Sequence, residues 1–261
     1  MGYVLINESI LSSIGNILRS KLDTSSTFTP IEFNSAIMDI DTMWIDVKEH
    51  KSDYIYDPTS SLLSSPIYKY TSCIISIPNC SYIGNDIFNG CINLSSMSIP
   101  NCSYIGNSAF YSCWNLYSIF IPNCSYIGSS AFYYCSNLSY ISPIPNCSYI
   151  GSSAFEYCTN LSYISIPNVE YIGSNAFYRC SNLSSISIPN VEYIGSSAFY
   201  QCYSLTSIYV LTTSIPNLGT SAFNNITNNW SIYVLSSLVD SFKTATNWST
   251  YSSRIVAYTG T

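Results

Sequence analysis

Charge is the first thing this sequence lacks. Only 8% of its 261 residues are Asp, Glu, Lys or Arg, against about a quarter in ordinary soluble proteins. Basic residues number eight, scattered, and the formal net charge is -6. No basic stripe exists to neutralise phosphates, which argues against a nucleic-acid partner. The sole histidine, His50, sits among five charged neighbours and reads as a solvated linker residue rather than a ligand or base. There is no Gly-x-Ser-x-Gly, no His-based triad and no phosphate loop, and carboxylates such as Glu156, Glu170 and Glu192 stand isolated. A non-enzymatic chain without a cofactor is expected. No apolar run reaches the ~18 residues of a membrane span, and the start, Met1-Gly2-Tyr3-Val4-Leu5-Ile6, lacks the basic region and apolar core of a signal peptide.

What is present is repetition. Phe88, Phe110, Phe132, Phe155, Phe177, Phe199 and Phe223 recur mostly every 22 residues, with one step of 23 and a last step of 24. Gly84, Gly106, Gly128, Gly151, Gly173, Gly195 and Gly219 keep step four residues earlier, as do Pro78, Pro100, Pro122, Pro145, Pro167 and Pro189. A period of this size, held this long, marks a solenoid. The apolar positions of one unit, Leu161, Ile164, Ile166, Val169, Ile172, Ala176, Phe177 and Cys180, are too sparse for a core of their own and are hidden only if the next unit stacks upon them.

Within each unit Leu-x-x-Ile-x-Ile predicts a short strand, ended by a proline that has no N–H for a continuing ladder. Tyr-Ile-Gly predicts a second extended piece, with the glycine turning the chain. Ser-x-Ala-Phe is expected to return it as a helical or 3₁₀ turn. Strands stacked about 4.8 Å apart turn equivalent positions into columns.

The pattern Ile-Gly-x-x-Ala-Phe-x-x-Cys-x-x-Leu-x-x-Ile-x-Ile-Pro, intact in residues 105–122 and 172–189, resembles the leucine-rich repeats of the BspA-like class. The resemblance implies a β-rich, curved, right-handed solenoid of about 22-residue units, used in cell-surface adhesion and recognition and carrying no catalytic residues.

The 11 cysteines fall in two columns, Cys80, Cys102, Cys124, Cys147 and Cys91, Cys113, Cys135, Cys158, Cys180, Cys202, with Cys73 ahead of the first full repeat. The first column continues as Val169 and Val191, so its members are expected to be small buried hydrophobes. Column neighbours would lie near enough to bridge as a ladder of disulfides. Zinc has neither a Cys-x-x-Cys pair nor a partner histidine, and no metal is expected.

Four segments follow. Residues 1–40 form a small helical module, with an apolar stripe of Ile10, Leu11, Ile14, Ile17 and Leu18 and a second helix opened by Pro30. Ile6, Ser9, Leu11, Ile14, Leu18, Arg19, Lys21, Pro30, Glu32, Phe33 and Ile37 give it a resemblance to a module of phage tail-fibre and other virion proteins. That resemblance implies attachment to other virion subunits, or a homo-oligomer. Residues 41–72 read as a linker or N-terminal cap, 73–226 as the solenoid and 227–261 as a C-terminal cap. The cap contains a last strand near 231–234 and an amphipathic helix over 236–245, and its ending is similar to those that close BspA-like arrays.

Two surfaces are candidates for binding. Tyr82, Tyr104, Tyr126, Tyr149, Tyr171 and Tyr193 form one column pointing outward beside inward isoleucines; it either stiffens the solenoid by stacking or offers an aromatic platform. The Leu-x-x-Ile-x-Ile strand, which in leucine-rich repeats lines the concave face, is expected to expose Ser96 and Ser98, Ser118 and Phe120, Tyr140 and Ser142, Tyr163 and Ser165, Ser185 and Ser187, Ser207 and Tyr209. Its changing aromatic content in an otherwise copied unit fits a recognition face, and equally fits drift. Phe120, Tyr140, Tyr163, Tyr209, Tyr104, Tyr126, Tyr149 and Tyr171 are the candidate ligand-binding residues. The asparagines after each proline are expected to hydrogen-bond the turns and one another. Pro143 adds a residue to one repeat and should bulge the sheet. The expected function is host recognition: a virion component made in the host cytoplasm and binding a bacterial surface glycan or protein. A cellular surface adhesin or an intracellular protein-interaction scaffold is the alternative.

Overall fold

The computed structural model describes residues 78–227 and 229–260, together with four short strands, Trp44–Val47, Tyr56–Asp57, Leu62–Leu63 and Cys73–Ser76. The helices expected within residues 1–40 and the linker histidine His50 lie outside the described residues.

All repeats but one contribute a strand to each of two parallel faces among the described residues. The first sheet takes the Leu-x-x-Ile segments: Cys73–Ser76, Leu94–Ser98, Ser118–Phe120 and Tyr140–Ile141 pair in parallel. It resumes as Ser185–Ser187, Ser207–Val210, Ser231–Val234 and Ile255–Ala257. The second sheet takes the Tyr-Ile pairs, from Tyr82–Ile83 through Tyr193–Ile194 to Asn217–Leu218, in register with each Tyr beside the Tyr of the next coil. Upstream, Trp44–Val47 pairs antiparallel with Cys73–Ser76, and Leu62–Leu63 adds to the second sheet.

The phenylalanines stand in a single buried file, ring centroids 5.0–5.5 Å apart and nearly parallel. Around them lie the repeat Leu, Ile, Ala and Cys side chains, so the core runs the length of the described solenoid. Asparagines after the prolines bind as expected: Asn101, Asn123, Asn168 and Asn190 donate to the proline carbonyls of the preceding coil at 2.8–3.0 Å. Asn115, Asn137, Asn160 and Asn182 form a second amide ladder.

The return past each phenylalanine is neither helical nor 3₁₀. The residues two before and two after it, such as Ser153 and Tyr157, lie in the left-handed region at φ 57° and 62°. This alternation of hand aims every second N–H group at the next coil, while the amides between them, such as Asn89 to the Asp86 carbonyl at 3.2 Å, stay within their own. The amides of Asp86, Phe88 and Gly90 donate to the carbonyls of Asn107, Ala109 and Tyr111 at 3.0, 2.7 and 2.7 Å. A helix would have spent these donors internally. The left-handed position before the ring is filled by Asp, Ser and Asn, residues whose short polar side chains tolerate it. The column glycines, by contrast, are not in the left-handed region. A Cβ on Gly173 would meet Ser152 N at 2.4 Å and Gly151 C at 2.6 Å, so glycine is needed for close approach of two coils.

At the extra residue Pro143 the strand ends at Ile141, and Ser142, expected on the exposed face, is turned inward. Ser142 is fully buried. An inserted residue reverses the alternation of faces, and here the serine hydroxyl turns in to accept from Ile121 N at 2.9 Å. In the regular coil the carbonyl of Phe120 takes the equivalent bond from Ile99 at 2.9 Å. The next segment, residues 161–166, has no strand, which divides the first sheet in two.

The C-terminal segment continues the solenoid before closing it. Ser231–Val234 and Ile255–Ala257 extend the first sheet, with a 3₁₀ turn Ser236–Leu238, an α-helix Val239–Thr244 and 3₁₀ turns Trp248–Arg254 between them. Trp230, Trp248 and Tyr251 cover the last ring of the file, Phe223, at 5.4–6.2 Å.

Candidate functional site

The second-sheet tyrosines have spent their ring faces. Tyr82, Tyr104, Tyr126, Tyr149, Tyr171 and Tyr193 stack in sequence at 4.5–4.8 Å, within 9° of parallel. Each ring covers the next, and only edges and hydroxyls meet water. Crowding by neighbouring coils and neighbouring phenols raises the Tyr126 pKa to about 12. Tyr104, Tyr126, Tyr149 and Tyr171 thus brace the second sheet, and no face is open for a flat ligand to stack on.

The first sheet is different. Phe120, Tyr140 and Tyr163 are 42, 51 and 59% exposed, and among the described residues their rings contact no other ring. They occupy three successive coils, Tyr163 in the strandless segment between the two halves of the first sheet. The second x column carries Ser96, Ser118, Tyr140, Tyr163, Ser185 and Ser207, so Tyr140 lies level with Ser118 and diagonal to Phe120.

Two further aromatics join them that the spacing argument passed over. Trp114 and Tyr117 are 51 and 48% exposed. Tyr117 follows Leu116 directly, a position that strict alternation assigns to neither face, yet both residues between Leu116 and Ile119 reach solvent. The signal for Tyr117 was in the sequence, since it stands in a column of Ser95, Ser139, Ser162, Ser184 and Thr206; Trp114 stands in a mixed one of Ile92, Ser136, Thr159, Ser181 and Tyr203. Tyr209 belongs elsewhere, stacked on Tyr233 at 4.9 Å and edge-on to Tyr258 at 5.9 Å in the C-terminal cap.

The strip around these rings is polar without charge. From each Cys to the following Pro, in residues 91–100, 113–122, 135–145, 158–167 and 180–189, no side chain is ionic. Its hydroxyls partly face inward as donors: Ser139, Ser184 and Thr206 each donate to a carbonyl one coil back at 3.2 Å, and Ser96 pairs with Ser118 at 2.7 Å. The ionic residues of the repeats lie on other faces. Arg179, the one basic residue between Lys69 and Lys243, rests over Tyr157 and Tyr178 beside the phenylalanine turns. Glu156 is in the same turns, half-buried, and loss of water there raises its carboxyl above the usual range. Glu170 and Glu192 are exposed ahead of the second-sheet tyrosines.

The ten cysteines from Cys80 to Cys202 are thiols, not disulfides, and are buried, as exchange with valine implied for the column Cys80, Cys102, Cys124 and Cys147. They also bond. Cys113, Cys135, Cys158, Cys180 and Cys202 donate to the phenylalanine carbonyl of the preceding coil at 3.0–3.1 Å. Among the described residues no group of His, Cys, Asp or Glu could hold a metal ion, and no helix is long and apolar enough to cross a membrane.

Stacked 22-residue coils with a Leu-x-x-Ile strand on one side are the architecture of a leucine-rich repeat protein. The model of the BspA type leucine rich repeat region matches residues 65–180 and 148–247, well over half of the chain, and the chain belongs to that family. Among solved structures, it is similar to a leucine-rich repeat protein of T. pallidum, 23% identical with a TM-score of 0.60, over 73% of this chain and 91% of that one. Likeness also extends to a leucine-rich cell surface protein of Faecalibacterium prausnitzii, at 24% identity and TM-score 0.46 over 74 and 54% of the two chains. A leucine-rich repeat protein of Bacteroides ovatus follows at 17% and 0.39 over 72 and 71%. No curated protein sequence matches. The family stretch begins at residue 65, so the virion-module resemblance of residues 1–40 falls outside it as well as outside the described residues.

Proposed function

We propose that this is a non-enzymatic recognition protein that adheres to a bacterial surface through the solvent face of its first sheet. One observation carries the reading: the exposed aromatics of that face, Trp114, Tyr117, Phe120, Tyr140 and Tyr163, keep their ring faces open, whereas the second-sheet tyrosines stack on one another. Large, rigid, amphipathic rings among serines give contact area at little cost in side-chain entropy. The family's repeat supports a binding scaffold over an enzyme. Attachment to a virion through residues 1–40 rests on sequence resemblance alone and is the finer form of the same proposal; placement on a cell surface is its alternative.

The test is binding of the fluorescently labelled full chain to intact bacteria. Tyr140→Ser with Tyr163→Ser should abolish it while leaving the thermal midpoint unchanged, since both side chains are solvent-exposed. Unchanged binding by a folded double variant would sink the proposal.

A further inference from the structure

We infer that the ligand of this face is a neutral, linear polysaccharide laid along the solenoid axis across successive coils. This rests on the reading of the first sheet as the binding face.

Charge argues first. Recognition of a uronic acid, a phosphate or an acidic peptide calls for an arginine or lysine facing it, and protein partners are steered and registered by complementary charge. The strip from Cys113 to Pro189 has neither sign on the first-sheet side, although the same coils carry Glu156, Glu170 and Arg179 on their other sides. Ionic residues are thus accepted by this fold and kept off this face.

Chemistry argues second. A sugar ring presents an apolar C–H face and a rim of hydroxyls. The open rings of Tyr140, Tyr163 and Phe120 can take the apolar face. The rim meets serine and threonine oxygens whose protons are already committed, as those of Ser139 and Ser184 are to the backbone of the preceding coil. These oxygens present lone pairs, so the sheet accepts what the sugar donates.

Periodicity argues third. The strip repeats at each coil, about every 4.8 Å, and a polymer of like units is the ligand that can satisfy such a surface coil after coil. The patch runs from Trp114 and Tyr117 through Phe120 and Tyr140 to Tyr163, three coils in succession.

The experiment measures binding of the full chain to a panel of immobilised neutral and acidic polysaccharides, and to bacteria pretreated with periodate or with protease. Expected is capture by a neutral polysaccharide that is insensitive to salt between about 0.05 and 0.5 M, because no ion pair is screened. It should weaken about tenfold for each of Tyr140→Ser and Tyr163→Ser, as loss of one stacking ring predicts, and should survive Arg179→Gln. On cells, periodate should abolish binding and protease should not. Binding to cells that needs Tyr140 and Tyr163 but is destroyed by protease and spared by periodate overturns the polysaccharide and leaves the binding face standing. Preference for acidic polymers with steep salt dependence overturns it too. Cell binding indifferent to both tyrosines removes the binding face itself.

Discussion

The amide of Phe223 donates to the hydroxyl of Tyr251 at 3.1 Å. In every earlier coil the phenylalanine amide donates to the carbonyl of the alanine one coil on, as Phe199 does to Ala222 at 2.8 Å. The last coil has no successor, and a phenol from the cap supplies the missing acceptor. The same hydroxyl then donates to Asn224 Oδ1 at 2.8 Å. Tyr251→Phe keeps the ring that covers Phe223 but orphans a buried amide, and should cost about 1–3 kcal/mol in equilibrium denaturation. Because each coil is held by its neighbours, hydrogen exchange should quicken first at Phe223 and least toward Phe110. A uniform quickening would contradict the capping role.

Two glycines separate two reasons for having glycine. Gly90 has φ +71° and open space where a Cβ would go, so Gly90→Ala should cost about 1–2 kcal/mol of backbone strain. Gly173 has no such φ, but a Cβ there would strike the backbone of the preceding coil at 2.4 Å. Gly173→Ala must separate two stacked coils and should be the worse of the two, beyond the ~3 kcal/mol usual for overpacking, because backbone cannot move aside as a side chain does. Denaturant midpoints of the two variants decide the order.

These glycines also mark where the sequence was legible and where it was not. Period and residue type sufficed for the stacking: Phe110 on Phe132, Asn123 on the Pro100 carbonyl and Cys124 buried all follow from columns. Handedness did not. Ala-Phe with serines around it reads as a helical turn, but Ser153 and Tyr157 are left-handed because their amides are claimed by the next coil, a demand that exists only once coils are stacked. Alternation placed Phe120, Tyr140 and Tyr163 correctly outward and failed at Ser142 and Tyr117, where an insertion and a second exposed residue between Leu116 and Ile119 break the period of two. That Tyr82 to Tyr193 form an aromatic column was plain; that its rings stack while Tyr140 and Tyr163 stay open is visible only in the fold.

The buried thiols set an alkaline limit. Burial raises Cys102, Cys124 and Cys147 to about 12 in the folded chain, against 9.0 when unfolded. Above pH 9 the unfolded state binds fewer protons than the native, so stability is whole below that value and falls as pH rises toward 12. The loss at pH 10 is on the order of 1 kcal/mol for each of these thiols, and the phenols of Tyr126 and Tyr133 move the same way. Urea midpoints under reductant should therefore drop clearly between pH 8 and pH 10. A thiol reagent at pH 8 should label none of the ten until the chain unfolds. A flat profile, or rapid labelling of the native chain, would contradict the burial of the columns.

Ser142 and Pro143 should behave as a linked pair. Ser142→Ala removes the acceptor of the Ile121 amide inside the sheet, an unsatisfied buried donor worth about 1–3 kcal/mol. Deleting Pro143 instead shortens this coil to the common 22-residue step. It returns residue 142 to the solvent face and frees its carbonyl to take the Ile121 amide, as the Phe120 carbonyl takes that of Ile99. The deletion should therefore be tolerated, and Ser142→Ala made in its background should cost almost nothing, since the hydroxyl would then point to water. The double-mutant cycle reads this directly. Additive losses would mean that the hydroxyl matters for some reason other than the extra residue, and the account of the insertion would fail.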